Sequence, residues 1–129
     1  MILDEIPNSL GRTGSFFTFE QFGVIPDMVV IGKGLGGGVM PLAALIASEA
    51  LNDVCATKAL GHYTHEKSPV ACAAGLATID FIFDHGLMQN AQQLGDWCMV
   101  RMQEMMQRHP LIGDVRGTLT NAYLISMSI

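Results

Sequence analysis

Short apolar runs separated by glycine-rich or proline-containing turns occupy the first third of the chain, and two long helical patterns follow them. Residues 1–3 form an apolar run before two acids, and residues 28–31 form a continuous, largely β-branched run. Runs of this kind are typical of strands buried in a sheet. Residues 42–48 repeat the pattern, so the mixture of strands and helices predicts an α/β protein.

The clearest helix is predicted to begin at Pro69. Ser68 is a suitable N-cap, and proline at the first helical position loses nothing by lacking an N–H. The helical pattern continues to Gly86, a residue that suits the position just after a helix C-terminus. Shorter helical segments are expected within residues 16–22 and 48–60.

A second long helix is predicted from Met88 to Arg108, and His109-Pro110 should end it. Its apolar residues recur at helical spacing and form one stripe that is expected to face the core. The stripe consists of Leu94, Cys98, Met102 and Met105. Beyond the helix, residues 112–117 predict a turn, and the apolar tail that follows predicts a strand.

Composition limits the classes of function. With 129 residues, half of them apolar and 15% charged, the chain is long enough for a folded core. A net charge of −5 predicts no general attraction for nucleic acid or anionic membranes. No apolar stretch is long enough to span a bilayer, and the acidic N-terminus does not resemble a signal peptide. Three scattered cysteines predict reduced thiols in a cytoplasmic protein.

The apolar run 28–31 leads to Lys33, which is followed by four glycines within five residues. A phosphate-binding P-loop is excluded, because the glycine and hydroxyl residues that it needs are missing at the required spacing. A dinucleotide-binding turn matches the glycine spacing, but that motif must open a helix, and here another strand-like run follows.

Two interpretations of Lys33 remain open at this point. A lysine approached by a buried strand can lose its proton by desolvation and form a covalent bond with a carbonyl group. Alternatively, Lys33 simply closes a strand, and the glycines form a tight turn to the next strand.

Several motifs in order resemble class III pyridoxal-phosphate aminotransferases of fold type I. They are ILDEI, the stretch from LGRTGSFFTFEQFG to VVIGKGLGGGVMPLAALIAS, GHYTHEKSPVACAAGLATID and HPLIGDVRG, and together they cover roughly residues 1–117. The resemblance implies part of a fold type I large domain, with a mainly parallel sheet flanked by helices and truncated at both ends. Residues 1–108 would be the later part of the cofactor-binding large domain, and residues 109–129 the start of the small C-terminal domain.

The same resemblance implies pyridoxal 5'-phosphate as the cofactor and assigns roles to four residues. Lys33 would be catalytic, holding the cofactor as a Schiff base and then moving the proton at the substrate's Cα. Asp4 would pair with the pyridine nitrogen, and Ile6 would pack against one face of the ring. Thr64 would bind the cofactor phosphate across a subunit interface, which implies a homodimer.

The implied function is transfer of an amino group between an amino acid or amine and a 2-oxo acid. Loop 61–69 resembles the racemase and epimerase branch of the family, so a racemase or epimerase is an alternative. A non-catalytic α/β module is another. In the resembling enzymes, further substrate and cofactor contacts come from the region before the position of Asp4. The chain alone is therefore expected to lack efficient transaminase activity.

Two local features depart from these patterns or compete with them. Many family members carry glutamine where this chain has Pro7, and proline cannot supply the hydrogen bond that glutamine makes near the cofactor. The closely spaced His62, His65 and Glu66 could belong to a metal site, but no further histidine or cysteine cluster completes one. We therefore expect no metal.

Overall fold

The computed structural model describes residues 1–58, 63–118 and 121–126, and within them it contains two sheets and three α-helices. The strands are β1 Ile2–Asp4, β2 Met28–Ile31, β3 Ala44–Ala47, β4 Ile112–Thr118 and β5 Asn121–Ser126. The α-helices are α1 Glu49–Cys55, α2 Pro69–Asp84 and α3 Leu87–Arg108, and short 3-10 helices cover Thr18–Phe22 and Lys33–Gly36. This mixture confirms the predicted α/β class.

The first sheet has the strand order β1-β2-β3. β1 pairs with β2 in parallel, with Asp4 beside Val30, whereas β3 pairs with β2 in antiparallel. The mainly parallel sheet that was expected is therefore mixed within the described residues. The reason lies in the connections: β2 and β3 are joined by a segment with only a short 3-10 helix, so the chain reverses direction instead of crossing over.

The core lies on one face of this sheet. Val29, Ile31 and Leu35 are buried together there. The partly buried residues packed against them are Leu10, Phe17, Phe19, Leu42, Ala44 and Ile79. Burial alternates along β2: Val29 and Ile31 are buried, whereas Met28 and Val30 are only half-buried. The second face of the sheet is open in this chain.

Helix α2 begins and ends as the sequence predicts. Ser68 is its N-cap and Pro69 its first residue, although the serine side chain makes no capping hydrogen bond. Gly86, just beyond its C-terminus, takes the left-handed conformation with φ 59°. Near the middle of α2, a Cβ on Gly75 would lie 2.7 Å from Leu42 Cδ2, so the helix lies directly over the segment that follows β2.

Helix α3 has the predicted length, but the predicted apolar stripe is wrong at both ends. Leu94 is 51% exposed and Met105 is also exposed, while Gly95 is buried. The buried side is therefore turned by about one residue relative to the predicted stripe. Among the described residues, no single helix has the length and apolar character to cross a membrane, and α2 and α3 satisfy those criteria only as a pair bent by 63°.

The turn predicted at residues 112–117 is wrong, because these residues belong to β4. Strand β4 pairs in antiparallel with β5, with Val115 beside Leu124, and the ladder has an irregularity between Ile112 and Asp114. The glycines and the aspartate in this segment favour a turn locally, but pairing with the apolar tail overrides that preference. The division of the chain into domains at residue 108 stays a prediction.

The two shorter helical predictions have different outcomes. The aromatic segment 16–22 forms a 3-10 helix over Thr18–Phe22 instead of an α-helix. The segment 48–60 contains α1, which ends at Cys55, and its last two residues lie outside the described residues.

Substituting Gly37 tests how closely the glycine segment packs against α2. Gly37 has φ 67°, and a Cβ there would lie 2.8 Å from Thr78 Oγ1, whereas Gly38 has φ 74° and open space around its Cα. We expect Gly38→Ala to lower the free energy of unfolding by about 1 kcal/mol through backbone strain alone. Gly37→Ala should cost roughly 2–3 kcal/mol, because the clash adds to the strain. Urea unfolding of both variants measures the difference, and equal losses would contradict the close packing.

Candidate functional site

Lys33 stands at the carboxyl end of β2 in an unfavourable backbone conformation. It begins the second 3-10 helix, and its φ of 47° lies in the left-handed region. A residue with a Cβ is destabilised by roughly 1–2 kcal/mol there, and Leu10 and Lys67 also adopt a positive φ. The side chain is exposed. The described residues do not bury its amine, so activation of Lys33 by desolvation stays a prediction.

Asp4 is the last residue of β1, and its carboxylate is exposed. The backbone N–H of Ile6 donates to Asp4 Oδ1 at 3.0 Å, which orients the carboxylate. The register places Asp4 beside Val30, three residues before Lys33. Strand spacing and chain length then keep the two Cα atoms of Asp4 and Lys33 within about 15 Å of each other. Asp4 is at the carboxyl end of β1, and Lys33 lies just after the carboxyl end of β2. Because these two strands are parallel, their carboxyl ends are at the same edge of the sheet.

Ile6 lies against the backbone just before Lys33. A Cβ on Gly32 would lie 3.6 Å from Ile6 Cγ2 and 3.4 Å from the Cβ of Ala43. Strand β1 ends at Asp4, so Ile6 is held by the turn that Asp4 makes and not by a continuing strand. The structure thus brings three of the predicted site residues, Asp4, Ile6 and Lys33, to one edge of the sheet.

Among the described residues, Lys33 does not line the cleft that Asp4 borders. This cleft is largely apolar and has a volume of about 280 Å³. The other residues around this cleft are Met1, Leu3, Glu5, Asn8, Thr18, Phe19, Phe22 and Val24. Within the part of the chain that the structure describes, no hydrogen bond or ion pair joins Asp4 to Lys33.

Thr64 is exposed in the turn that precedes α2. The four residues after it line a groove of about 650 Å³ together with residues 40–43 and Leu45. No hydrogen bond or ion pair among the described residues joins Thr64 to Asp4 or Lys33. His62 lies outside the described residues, and inside them no group of three or more His, Cys, Asp and Glu side chains could hold a metal ion.

Glu5 is a site residue that the sequence reasoning missed. Its side chain is only 4% exposed, and it accepts hydrogen bonds from the backbone N–H groups of Thr18 and Phe19, both at 2.7 Å. The alternation of side chains between the two faces of β1 could have revealed the burial of Glu5. If Asp4 points to the open face of the sheet, its neighbour points to the core, and a carboxylate in a core needs partners.

The sequence of this chain is similar to one protein family and to several characterised proteins. The family described as aminotransferase class-III matches residues 1–126. A (R)-1-hydroxy-2-aminoethylphosphonate ammonia-lyase from Vibrio splendidus is 44% identical over 117 residues, which are 91% of this chain and 24% of that protein. A leucine/methionine racemase from Thermococcus litoralis is 41% identical over 118 residues, which are 91% of this chain and 26% of that protein.

The fold has a close counterpart among solved structures. Taurine:2-oxoglutarate aminotransferase from Bifidobacterium kashiwanohense, in complex with PLP and glutamate, matches with a TM-score of 0.93 and 27% identity. The match covers 98% of this chain and 28% of that one. It confirms the predicted fold class as part of a fold type I large domain. The chain spans about a quarter of the length of the relatives it matches.

Replacing Lys33 tests whether its backbone is strained. Glycine adopts the left-handed conformation freely, so Lys33→Gly should have a higher free energy of unfolding than Lys33→Ala, by about 1 kcal/mol. Lys58 is the control, because it does not have a positive φ. There the order should reverse, with Ala more stable than Gly by roughly 0.5 kcal/mol. Urea unfolding of the four variants measures both differences, and the same order at both positions would contradict the strain.

Proposed function

This chain belongs to the class-III aminotransferase family, and from that premise we propose that it forms the lysine-bearing part of a pyridoxal-phosphate-dependent aminotransferase. The reaction is transfer of an amino group between an amino acid or amine and a 2-oxo acid. One observation carries the proposal: an exposed lysine with a positive φ follows β2 at the sheet edge where the Asp4 carboxylate ends β1.

The residues at this edge fit pyridoxal phosphate. A primary amine such as that of Lys33 is the group that condenses with an aldehyde. An exposed carboxylate such as that of Asp4 is a suitable acceptor for a protonated ring nitrogen. Ile6 is half-buried beside Gly32, and its aliphatic side chain is of the kind that packs against one face of a flat ring.

When bound, pyridoxal phosphate supplies the electron sink that stabilises negative charge at the substrate's Cα. In this proposal, Lys33 holds the cofactor through its amine and afterwards moves the proton at that Cα. Asp4 keeps the proton on the ring nitrogen by its negative charge. Ile6 packs on the ring and fixes its orientation. Because Lys33 is exposed in this chain, exclusion of water from its amine would need residues beyond those described.

Two further parts of the proposal concern the role of Thr64 and the cellular location of the enzyme. We propose that Thr64 binds the cofactor phosphate of a partner subunit in a homodimer, which is supported by its exposed position in the turn before α2. A cytoplasmic location is supported by Cys55, Cys72 and Cys98, all of which are free thiols.

Racemisation is the second candidate function. It is supported by the 41% identity to the leucine/methionine racemase and by loop 61–69. Lys33 and Asp4 would keep the same roles, since a racemase also removes the Cα proton. A proton is then returned to the opposite face of the substrate, and its donor would be a group beyond Lys33 and Asp4. No 2-oxo acid acceptor is then needed.

Borohydride trapping tests the lysine directly. The chain is incubated with pyridoxal phosphate and reduced, and the modified lysines are located by peptide mass spectrometry. We expect label on Lys33 well above that on Lys67, an exposed lysine with a similar φ of 57° that serves as the matched control. Lys33→Arg should remove that label and leave Lys67 unchanged. Equal labelling of the two lysines would instead favour a non-catalytic α/β module.

Product analysis tests the reaction type, with these residues placed in a polypeptide of the family's full length. An aminotransferase should form a 2-oxo acid from the amino donor only when an acceptor is present, whereas a racemase should invert the donor without one. Lys33→Ala should lower kcat/KM by roughly 10²–10⁴-fold in either case, because proton transfer at Cα loses its base. An unchanged kcat/KM in that variant would contradict the role of Lys33.

A further inference from the structure

A buried carboxylate lies directly beside the proposed cofactor contact. Glu5 follows Asp4 in the chain and is 4% exposed. Glutamate is rarely buried unless it is paired, because an unpartnered charge in a protein interior is costly. Here both oxygens are used: Oε2 accepts from the N–H of Thr18 and Oε1 from the N–H of Phe19, each at 2.7 Å.

These two N–H groups belong to the first turn of the 3-10 helix Thr18–Phe22, where backbone donors have no partner within the helix. Glu5 therefore caps that helix from a distant strand, and charge-assisted bonds of this length are strong. The same helix supplies Phe19 and Phe22 to the wall of the cleft that Asp4 borders. The carboxylate thus connects the two sides of this cleft.

The backbone of Glu5 is held as firmly as its side chain. Its N–H donates to the carbonyl of Val30 at 2.9 Å, which continues the β1–β2 ladder one residue past Asp4. Its own carbonyl accepts from the N–H groups of Asn8 and Ser9, at 3.1 and 3.0 Å. Asp4, in contrast, has an exposed side chain whose one described hydrogen bond comes from the N–H of Ile6.

We propose that Glu5 is a positioning residue, which holds the end of β1 so that the Asp4 carboxylate stays where the ring nitrogen of the cofactor binds. The inference rests on the proposed function, because it gives Asp4 that contact. Glu5 itself touches neither cofactor nor substrate. It acts through the backbone that it shares with Asp4 and through the helix that it caps.

The geometry requires a carboxylate at this position. Glutamine has the same shape, but its amide offers one acceptor and one donor, so an N–H of Thr18 or Phe19 would face another N–H. Aspartate keeps the charge but is one methylene shorter and cannot reach both donors. Glu5→Gln is therefore the least disruptive substitution that breaks the bidentate contact.

The test compares Glu5→Gln, Asp4→Asn and the double variant, with Glu20→Gln as the control. Glu20 is an exposed carboxylate on the same 3-10 helix, and it accepts a longer bond of 3.4 Å from the N–H of Phe17. Two quantities are measured in the full chain: amide hydrogen exchange without cofactor, and the fraction of Lys33 labelled by pyridoxal phosphate and borohydride at a fixed concentration.

Without cofactor, Glu5→Gln should speed exchange at Thr18 and Phe19 and also at Ile6, the partner of Asp4. Fast exchange at Thr18 and Phe19 with full protection at Ile6 would overturn the proposal, since Glu5 would then cap the helix without holding Asp4. Glu20→Gln should leave the exchange of Ile6 unchanged.

With cofactor, Glu5→Gln should lower the labelling of Lys33 on the order of tenfold when Asp4 is present and by less than about twofold in the Asp4→Asn background. The same loss in both backgrounds would overturn the positioning role and leave the proposed function intact. The proposed function itself would fail on a different result. In that case Lys33 is labelled no more than Lys67, and Asp4→Asn does not change the labelling of Lys33.

Discussion

The parallel pairing of β1 with β2 is the constraint on which the candidate site depends. It sets Asp4 beside Val30 and makes both strands end at the same edge of the sheet. Without that register, an acid from the first few residues and a lysine more than two dozen positions later would have no reason to lie together. A slip of one residue would turn the Asp4 side chain from the open face to the core.

In this chain, a buried and fully hydrogen-bonded residue lies beside exposed reactive side chains. Glu5 is buried and hydrogen-bonded through its carboxylate, its N–H and its carbonyl, whereas Asp4 at the end of β1 and Lys33 just after β2 are exposed. Lys33 is one of three described non-glycine residues with a positive φ, the others being Leu10 and Lys67, and it adopts φ 47° beside glycines that could have taken that conformation at no cost. Strained residues that persist on a well-held scaffold are found preferentially at functional sites.

Local patterns predicted the elements whose signals are local. Ser68-Pro69 marked the start of α2, and the apolar run 28–31 marked β2. The failures came from long-range contacts. Residues 112–117 form a strand only because the tail pairs with them, and the burial of Glu5 depends on the approach of Thr18 and Phe19 from elsewhere in the chain. The pairing of Asp4 with Lys33 came from the family resemblance, since no spacing in the sequence states which strands are neighbours.

The most direct test of the central claim is a crystal structure of the chain after reaction with pyridoxal phosphate and reduction. The account predicts a pyridoxyl group on the Lys33 amine, lying across the edge of the sheet with its ring nitrogen within hydrogen-bond distance of the Asp4 carboxylate. A group bound to Lys33 whose ring points away from β1, with Asp4 still in water, would contradict the convergence of these two residues on one cofactor.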